Sequence, residues 1–180
     1  IKRADHIAFF HPIIYPNVVE QLDYEIELGV VIGQRCRNVK AQDARAVIAG
    51  YLVTNDVSAR DWQKRSPTFT LGKSFDSHGP IGPWLTTADE IADPLKLEMR
   101  LSVNGQTRQK MTTGDMIYDI YQQIEYLSTV MTLEPGDILA TGTPSGVGVA
   151  LGKLLEVGDV VRAEIDQLGH IENRVMAEQV

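Results

Sequence analysis

A chain of 180 residues, 43% hydrophobic and 23% charged, can bury a core without disulfide staples and is too apolar to stay disordered. Seven excess acidic charges, 24 Asp+Glu against 17 Lys+Arg, with no extended basic run, argue against a nucleic-acid partner. The single cysteine, Cys36, cannot form an internal disulfide and fits a reducing compartment. Apolar stretches of about five or six residues fall far short of the roughly 20 that span a bilayer. Ile7-Ala8-Phe9-Phe10 after Lys2-Arg3 is too short for a signal-peptide core. A cytoplasmic protein with no membrane partner is therefore expected.

Residues 1–20 are broken by Pro12, Pro16 and Asn17 and are expected to be irregular, an N-terminal arm or lid beside one domain over 21–180. Residues 23–32, D-Y-E-I-E-L-G-V-V-I, alternate and then run apolar, as a strand entering a core does. A short helix is expected over 41–48, with Gly50 as its stop, then a buried strand over 51–57 and a loop over 58–79. Residues 95–103 alternate strictly and meet Asn104-Gly105, the strongest short hairpin signal, with a return strand over 106–111. The pattern predicts a helix over 116–131. Ile117, Ile120, Ile124, Leu127 and Met131 form its apolar stripe, Thr112 with Asp115 caps it, and Pro135-Gly136 ends it. Short strands follow over 137–140, 159–165 and 171–176. Two segments echo each other, L-E-P-G-D-I-L-A and L-E-V-G-D-V-V-R-A, as repeated turn chemistry. Many strands with few helices predict an α+β, β-rich fold with a mostly antiparallel sandwich or roll. No dinucleotide fingerprint, phosphate-binding lysine loop or nucleophile elbow occurs. The glycine-rich run 141–148 is interrupted by Pro144.

Glu25 and Glu27 share one strand face, with Cα atoms roughly 6.6 Å apart, and Asp23 lies on that face too. A solvated outer face is the plain explanation. Against it, Val30-Val31-Ile32 make the strand central, and glutamate is a poor strand former. Asp56 closes the next apolar run, as a turn residue or as a third carboxylate facing the pair. Three carboxylates at one point would protonate or bind a cation. An all-oxygen set favours Mg²⁺ or Mn²⁺ over Zn²⁺. Arg60, Gln63 and Lys73 follow in a segment rich in polar donors, where surface placement is the simpler reading. Lys73 also sits in L-G-K-S-F-D-S-H-G-P-I-G-P-W, too rich in glycine and proline for a mere linker. His6, His11, His78 and His170 are scattered, and Trp62 and Trp84 are expected to pack.

Six blocks in order, L-D-Y-E-I-E-L-G-V-V-I-G, A-G-Y-L-V-T-N-D-V-S-A-R-D-W-Q, L-G-K-S-F-D-S-H-G-P-I-G-P-W, V-N-G-Q-T-R-Q, T-L-E-P-G-D-I-L-A-T-G-T-P-S-G-V-G and L-G-H-I-E-N-R-V, resemble the fumarylacetoacetate hydrolase superfamily from residue 21 to about 175. The resemblance implies a mixed β-sandwich or roll, a homodimer, and action on small 2-oxo acids. Most members cleave a carbon–carbon bond in acylpyruvates or related compounds; others isomerise or decarboxylate them. A non-catalytic metal-binding module is the rival reading. The likeness carries metal ligands (Mg²⁺, with Mn²⁺ possible) onto Glu25, Glu27 and Asp56, and substrate contacts onto Arg60, Gln63, Lys73, Gly142 and Thr143. Lys73 would also be catalytic. The family's water-activating histidine falls on His6, partnered by a lid glutamate. No glutamate follows His6 before Glu20, so that part of the lid is expected to lie outside these residues.

Overall fold

The computed structural model describes residues 11–179, together with the backbone of the strand at residues 6 and 7. In chain order, the first strands are β1 (His6–Ile7), β2 (Ile13–Tyr15), β3 (Leu22–Asp23), β4 (Ile26–Ile32), β5 (Ile48–Asn55) and β6 (Ser58–Ala59). They are followed by α1 (Arg60–Gln63), β7 (Gly79–Thr87), β8 (Glu98–Val103), β9 (Gln106–Thr112) and α2 (Ile120–Val130). The chain closes with β10 (Ile138–Ala140), α3 (Gly148–Leu151), β11 (Val160–Ile165) and β12 (Gly169–Ala177). Short 3₁₀ turns lie at Ala41–Val47, Thr70–Lys73 and Thr113–Asp115.

One sheet has the order β1-β7-β5-β4-β10, a second β2-β12-β11-β8-β9, and β3 pairs with β6 alone. Pairing is antiparallel except for β1 with β7 and β2 with β12. The two larger sheets pack face to face. Ile26, Leu28 and Val30 of β4 and Val53 of β5 meet a core shared with Met99 and Leu101 of β8 and Val161 and Ala163 of β11. Each strand contributes every second residue, as its period of two requires. The expected β-rich sandwich is the observed fold. Among the described residues no helix is long and apolar enough to cross a membrane.

The hairpin turns at Asn104 (φ +50°) and Gly105 (φ +77°), the mirror-image turn that matches strand twist. The two echoing segments form the same turn. Asp137 N donates to Glu134 O and Glu134 N to the Asp137 carboxylate, just as Asp159 and Glu156 do. Each launches a strand, β10 and β11.

Several boundaries differ from expectation. Ile13–Tyr15 is a strand added to β12, although its neighbouring prolines suggested irregular chain. Gly50 stops no helix. It lies inside β5, where an added Cβ would stand 2.2 Å from Thr86 O, so the β5–β7 contact requires glycine. The 58–79 segment holds β6, α1 and a 3₁₀ turn rather than plain loop. The long helix starts at Ile120, capped by Asp119, whose carboxylate accepts from Tyr121 N and Gln122 N. The Thr112–Asp115 box caps the preceding 3₁₀ turn instead. Ile117 is thus outside the helix and 92% exposed, while Ile120 and Ile124 are fully buried. The helix ends at Val130, before Pro135-Gly136. Trp62 packs edge-on to Phe75, but Trp84 is exposed, its ring lying over Gly169.

Candidate metal centre and active site

Strand register assembles the acidic cluster. Ile26, Leu28 and Val30 point into the core, so Glu25 and Glu27 take the opposite face of the sheet. In the antiparallel pair β4–β5, Ile26 faces Asn55 and Glu27 faces Thr54. One step further, Asp56 N donates to Glu25 O at 2.8 Å. Asp56 therefore stands across from Glu25 on the same face, where cross-strand side chains are nearest neighbours. One oxygen from each of Glu25, Glu27 and Asp56 lies within 4.8 Å of the other two. This face is covered, not solvated: Glu25 is 8% and Glu27 4% exposed.

Two cations and one amide answer this charge. Lys73 Nζ lies 2.6 Å from Glu25 Oε2 and 2.9 Å from Asp56 Oδ2, and donates to Ser58 Oγ at 2.6 Å. Arg60 reaches Glu25 Oε1 at 2.7 Å and, through Nε, Asp23 Oδ2 at 2.9 Å. Gly142 N donates to Glu27 Oε2 at 2.9 Å. Burial opposes the charge on Lys73 and Arg60. Asp56 and Glu25 around Lys73, and Glu25 and Asp23 around Arg60, outweigh it and raise both pKa values. Among the described residues no cation is in contact with Glu27. Burial, then Asp56 and Glu25, push its carboxyl up to about 8, against the pull of the Gly142 amide.

That shift sets an expected pH dependence. An unfolded Glu27 titrates near 4.5 and the folded one near 8, so between these values the folded state holds the extra proton. Metal-free stability is then highest below about pH 4.5 as far as this group is concerned. It falls as pH rises towards 8, by on the order of a few kcal/mol. Urea midpoints in EDTA at pH 5 to 8 should decline, and Glu27→Gln should flatten the decline. An equal slope in that variant would assign it to other groups.

The site residues read from the sequence come together, with one exception. Lys73 joins Glu25 to Asp56, Arg60 reaches Glu25, and Glu27 converges with the other two carboxylates. Gln63 accepts from Arg60 at 3.1 Å, and Gly142 and Thr143 lie along β4, the Thr143 hydroxyl donating to Ile26 O. The side chain of His6 lies outside the described residues. Asp56 borders an open cavity of about 510 Å³ lined by Thr54, Ile81, Leu127 and Leu139. A larger groove of about 830 Å³ outside α2 touches none of the charged residues above. Sequence reasoning missed the use of Asp23. This carboxylate is fully buried and accepts from Tyr24 N, Gly148 N and Val149 N besides Arg60. A Cβ on Gly148 would sit 2.5 Å from its oxygen, so glycine is needed for that bond. The clue was its alternation with Glu25 and Glu27, but its partners are too distant in sequence to be read. Arg60 is correspondingly only 6% exposed, with its second terminal nitrogen lacking a hydrogen-bond partner among the described residues.

Three converging carboxylates with no soft donor fit a hard divalent cation. The Lys73 ammonium bridges two of them. The cluster could bind a metal ion.

Residues 1–176 match the family model described as fumarylacetoacetate (FAA) hydrolase, C-terminal. An uncharacterized protein of Methanocaldococcus jannaschii is 44% identical over 167 residues, covering 93% of this chain and 67% of that one. The 2-hydroxyhepta-2,4-diene-1,7-dioate isomerase of Mycobacterium marinum superposes with a TM-score of 0.87 at 40% identity, over 98% of this chain and 66% of its own. Maleylpyruvate hydrolase of Sphingobium sp. SYK-6, in complex with manganese(II) and pyruvate, gives 0.85 at 39% identity, over 96% and 61%. The chain thus spans about two thirds or less of the proteins it matches. A family model that matches nearly the length of the sequence, together with a relative 44% identical over 93% of it, shows the kinship: the chain belongs to the fumarylacetoacetate hydrolase family.

Proposed function

We propose that this chain carries the active centre of a divalent-metal-dependent hydrolase that cleaves a carbon–carbon bond in an acylpyruvate or related small 2-oxo acid. The convergence of Glu25, Glu27 and Asp56 within 4.8 Å carries the reading. These three would hold Mg²⁺, with Mn²⁺ as the alternative. When bound, the ion supplies Lewis-acid stabilisation of negative charge on the 2-oxo group. Lys73 and Arg60 keep fixed positive charge beside the same point. Arg60, one of whose nitrogens no described residue accepts from, Gln63 beside it and the Gly142–Thr143 segment would meet a substrate carboxylate. His6 would take the proton from the attacking water. The enzyme is proposed to work as a homodimer in the cytoplasm.

A second reading, isomerisation of an unsaturated 2-oxo acid, is favoured by the isomerase from M. marinum, as close in identity as the hydrolase. Acylpyruvates, oxaloacetate and unsaturated sugar-derived 2-oxo acids, assayed with and without Mg²⁺, separate the possibilities. Pyruvate release from an acylpyruvate supports hydrolysis. An absorbance change without cleavage supports isomerisation, and carbon dioxide from oxaloacetate alone supports decarboxylation. Metal binding without turnover leaves a binding module. His6→Ala should slow hydrolysis at least tenfold more than oxaloacetate decarboxylation, which needs no attacking water. Equal losses would remove His6 from the role of base.

A further inference from the structure

Gln109 stands on β9, in the sheet opposite the acidic cluster, yet its side chain is 1% exposed and reaches the start of β4. Its Oε1 accepts from Ile26 N at 3.1 Å, between Glu25 and Glu27 in sequence. Its Nε2 donates to Pro144 O and to Thr143 Oγ1, both at 2.9 Å. The orientation of the amide is forced. Ile26 N–H can only donate and Pro144 O can only accept, so the oxygen must face the first and the nitrogen the second. Both Nε2 hydrogens are then committed, and Thr143 Oγ1 must accept one of them. The hydroxyl's own hydrogen goes to Ile26 O at 2.8 Å.

This closed set has a chemical consequence. A carboxylate needs donors, and the Thr143 side chain has none to give. The Gly142 amide is already taken by Glu27. The next donor along the chain is the Thr143 amide, which no described residue accepts from. Space in front of Gly142 is open: an added Cβ would meet nothing within 4 Å. We propose that Gln109 is a positioning residue that fixes the Thr143 hydroxyl as an acceptor, so that this segment meets the carboxylate of a 2-oxo acid with the Thr143 main-chain amide and not with its hydroxyl. The inference rests on the functional reading above and assigns the donor within it.

The test is calorimetric titration of pyruvate into the Mn²⁺-loaded protein, with melting temperatures of the pyruvate-free forms. Thr143→Val keeps the shape, the amide and the two remaining Gln109 bonds. It should change pyruvate affinity by less than threefold while lowering the melting temperature by a few degrees. Gln109→Met removes all three bonds and should weaken pyruvate at least tenfold. Gln109→Glu, which keeps the Ile26 bond but turns oxygen towards Pro144 O, should do the same. Loss of thirtyfold or more in Thr143→Val, with its melting temperature unchanged, would make the hydroxyl the donor and overturn the inference alone. Wild-type affinity in both Gln109 variants would equally overturn it. If the Gln109 variants do not fold, Thr143→Val decides by itself. A wild-type protein that binds no 2-oxo acid would instead sink the functional reading, and this assignment with it.

Discussion

Asp56→Ala should abolish the rise in melting temperature expected when divalent ions bind the wild-type protein, and lower the proposed turnover about a thousandfold or more. Binding that favours the folded state stabilises it by about 2.7 kcal/mol at a ligand concentration one hundred times the Kd. For a chain of this length that is roughly 5–10 °C. Removing one of three carboxylates takes away an oxygen ligand and a negative charge at once, and with the ion goes several kcal/mol of transition-state stabilisation. The metal-free variant should still melt within a few degrees of the wild type. Lys73 keeps Glu25 and Ser58, and Glu27 loses the neighbour that, after burial, does most to raise its pKa. Thermal melts in EDTA and in Mg²⁺ or Mn²⁺ check both halves. An unchanged ion-dependent shift would remove Asp56 from the ligand set.

Lys73→Met should act in the opposite sense on the two states. In the wild type the ammonium bridges Glu25 and Asp56, the carboxylates proposed to hold the metal. Without it, Glu25 keeps Arg60 but Asp56 loses the ammonium beside it, while Glu27 next to them already resists ionisation. Breaking a buried pair from one side costs about 3–5 kcal/mol. The lower end applies here, because the Lys73 side chain keeps 16% exposure. A divalent ion can replace the lost charge, so the deficit should shrink by half or more in saturating Mg²⁺, and the ion-dependent gain in stability should exceed that of the wild type. Turnover should fall in either case. Urea unfolding with EDTA and with Mg²⁺ reads the difference. Equal losses in both would mean that Lys73 and the ion do not share these carboxylates.

Strand periodicity and the Asn104-Gly105 turn made the sandwich legible, because both signals are local. The carboxylate pair was legible for the same reason: residues two apart in a strand must share a face. Asp56 was harder. Its place opposite Glu25 depends on the β4–β5 register, which follows from how two distant segments pair. The helix stripe misled at Ile117, because apolar spacing continues past the point where Asp119 supplies a better cap. Asp23 and Gln109 were beyond reach. Each is defined by partners more than 80 residues away, Gly148 for Asp23 and Ile26 for Gln109. A buried polar side chain reveals its purpose only once those partners are known. Arg60 looked like a surface donor and is instead clamped between two acids.

The pairing of β4 with β5 also bears on how such a protein can change over generations. Because Glu25, Glu27 and Asp56 occupy the reverse of the strands whose obverse is the core, inserting or deleting one residue within either strand would swap the two sides together. Acids would enter the hydrophobic interior while isoleucines took their place on the outer face. Indels should therefore be excluded from residues 25–32 and 50–56, whereas the stretch around Ser66 and Pro67, outside every sheet, is free to lengthen.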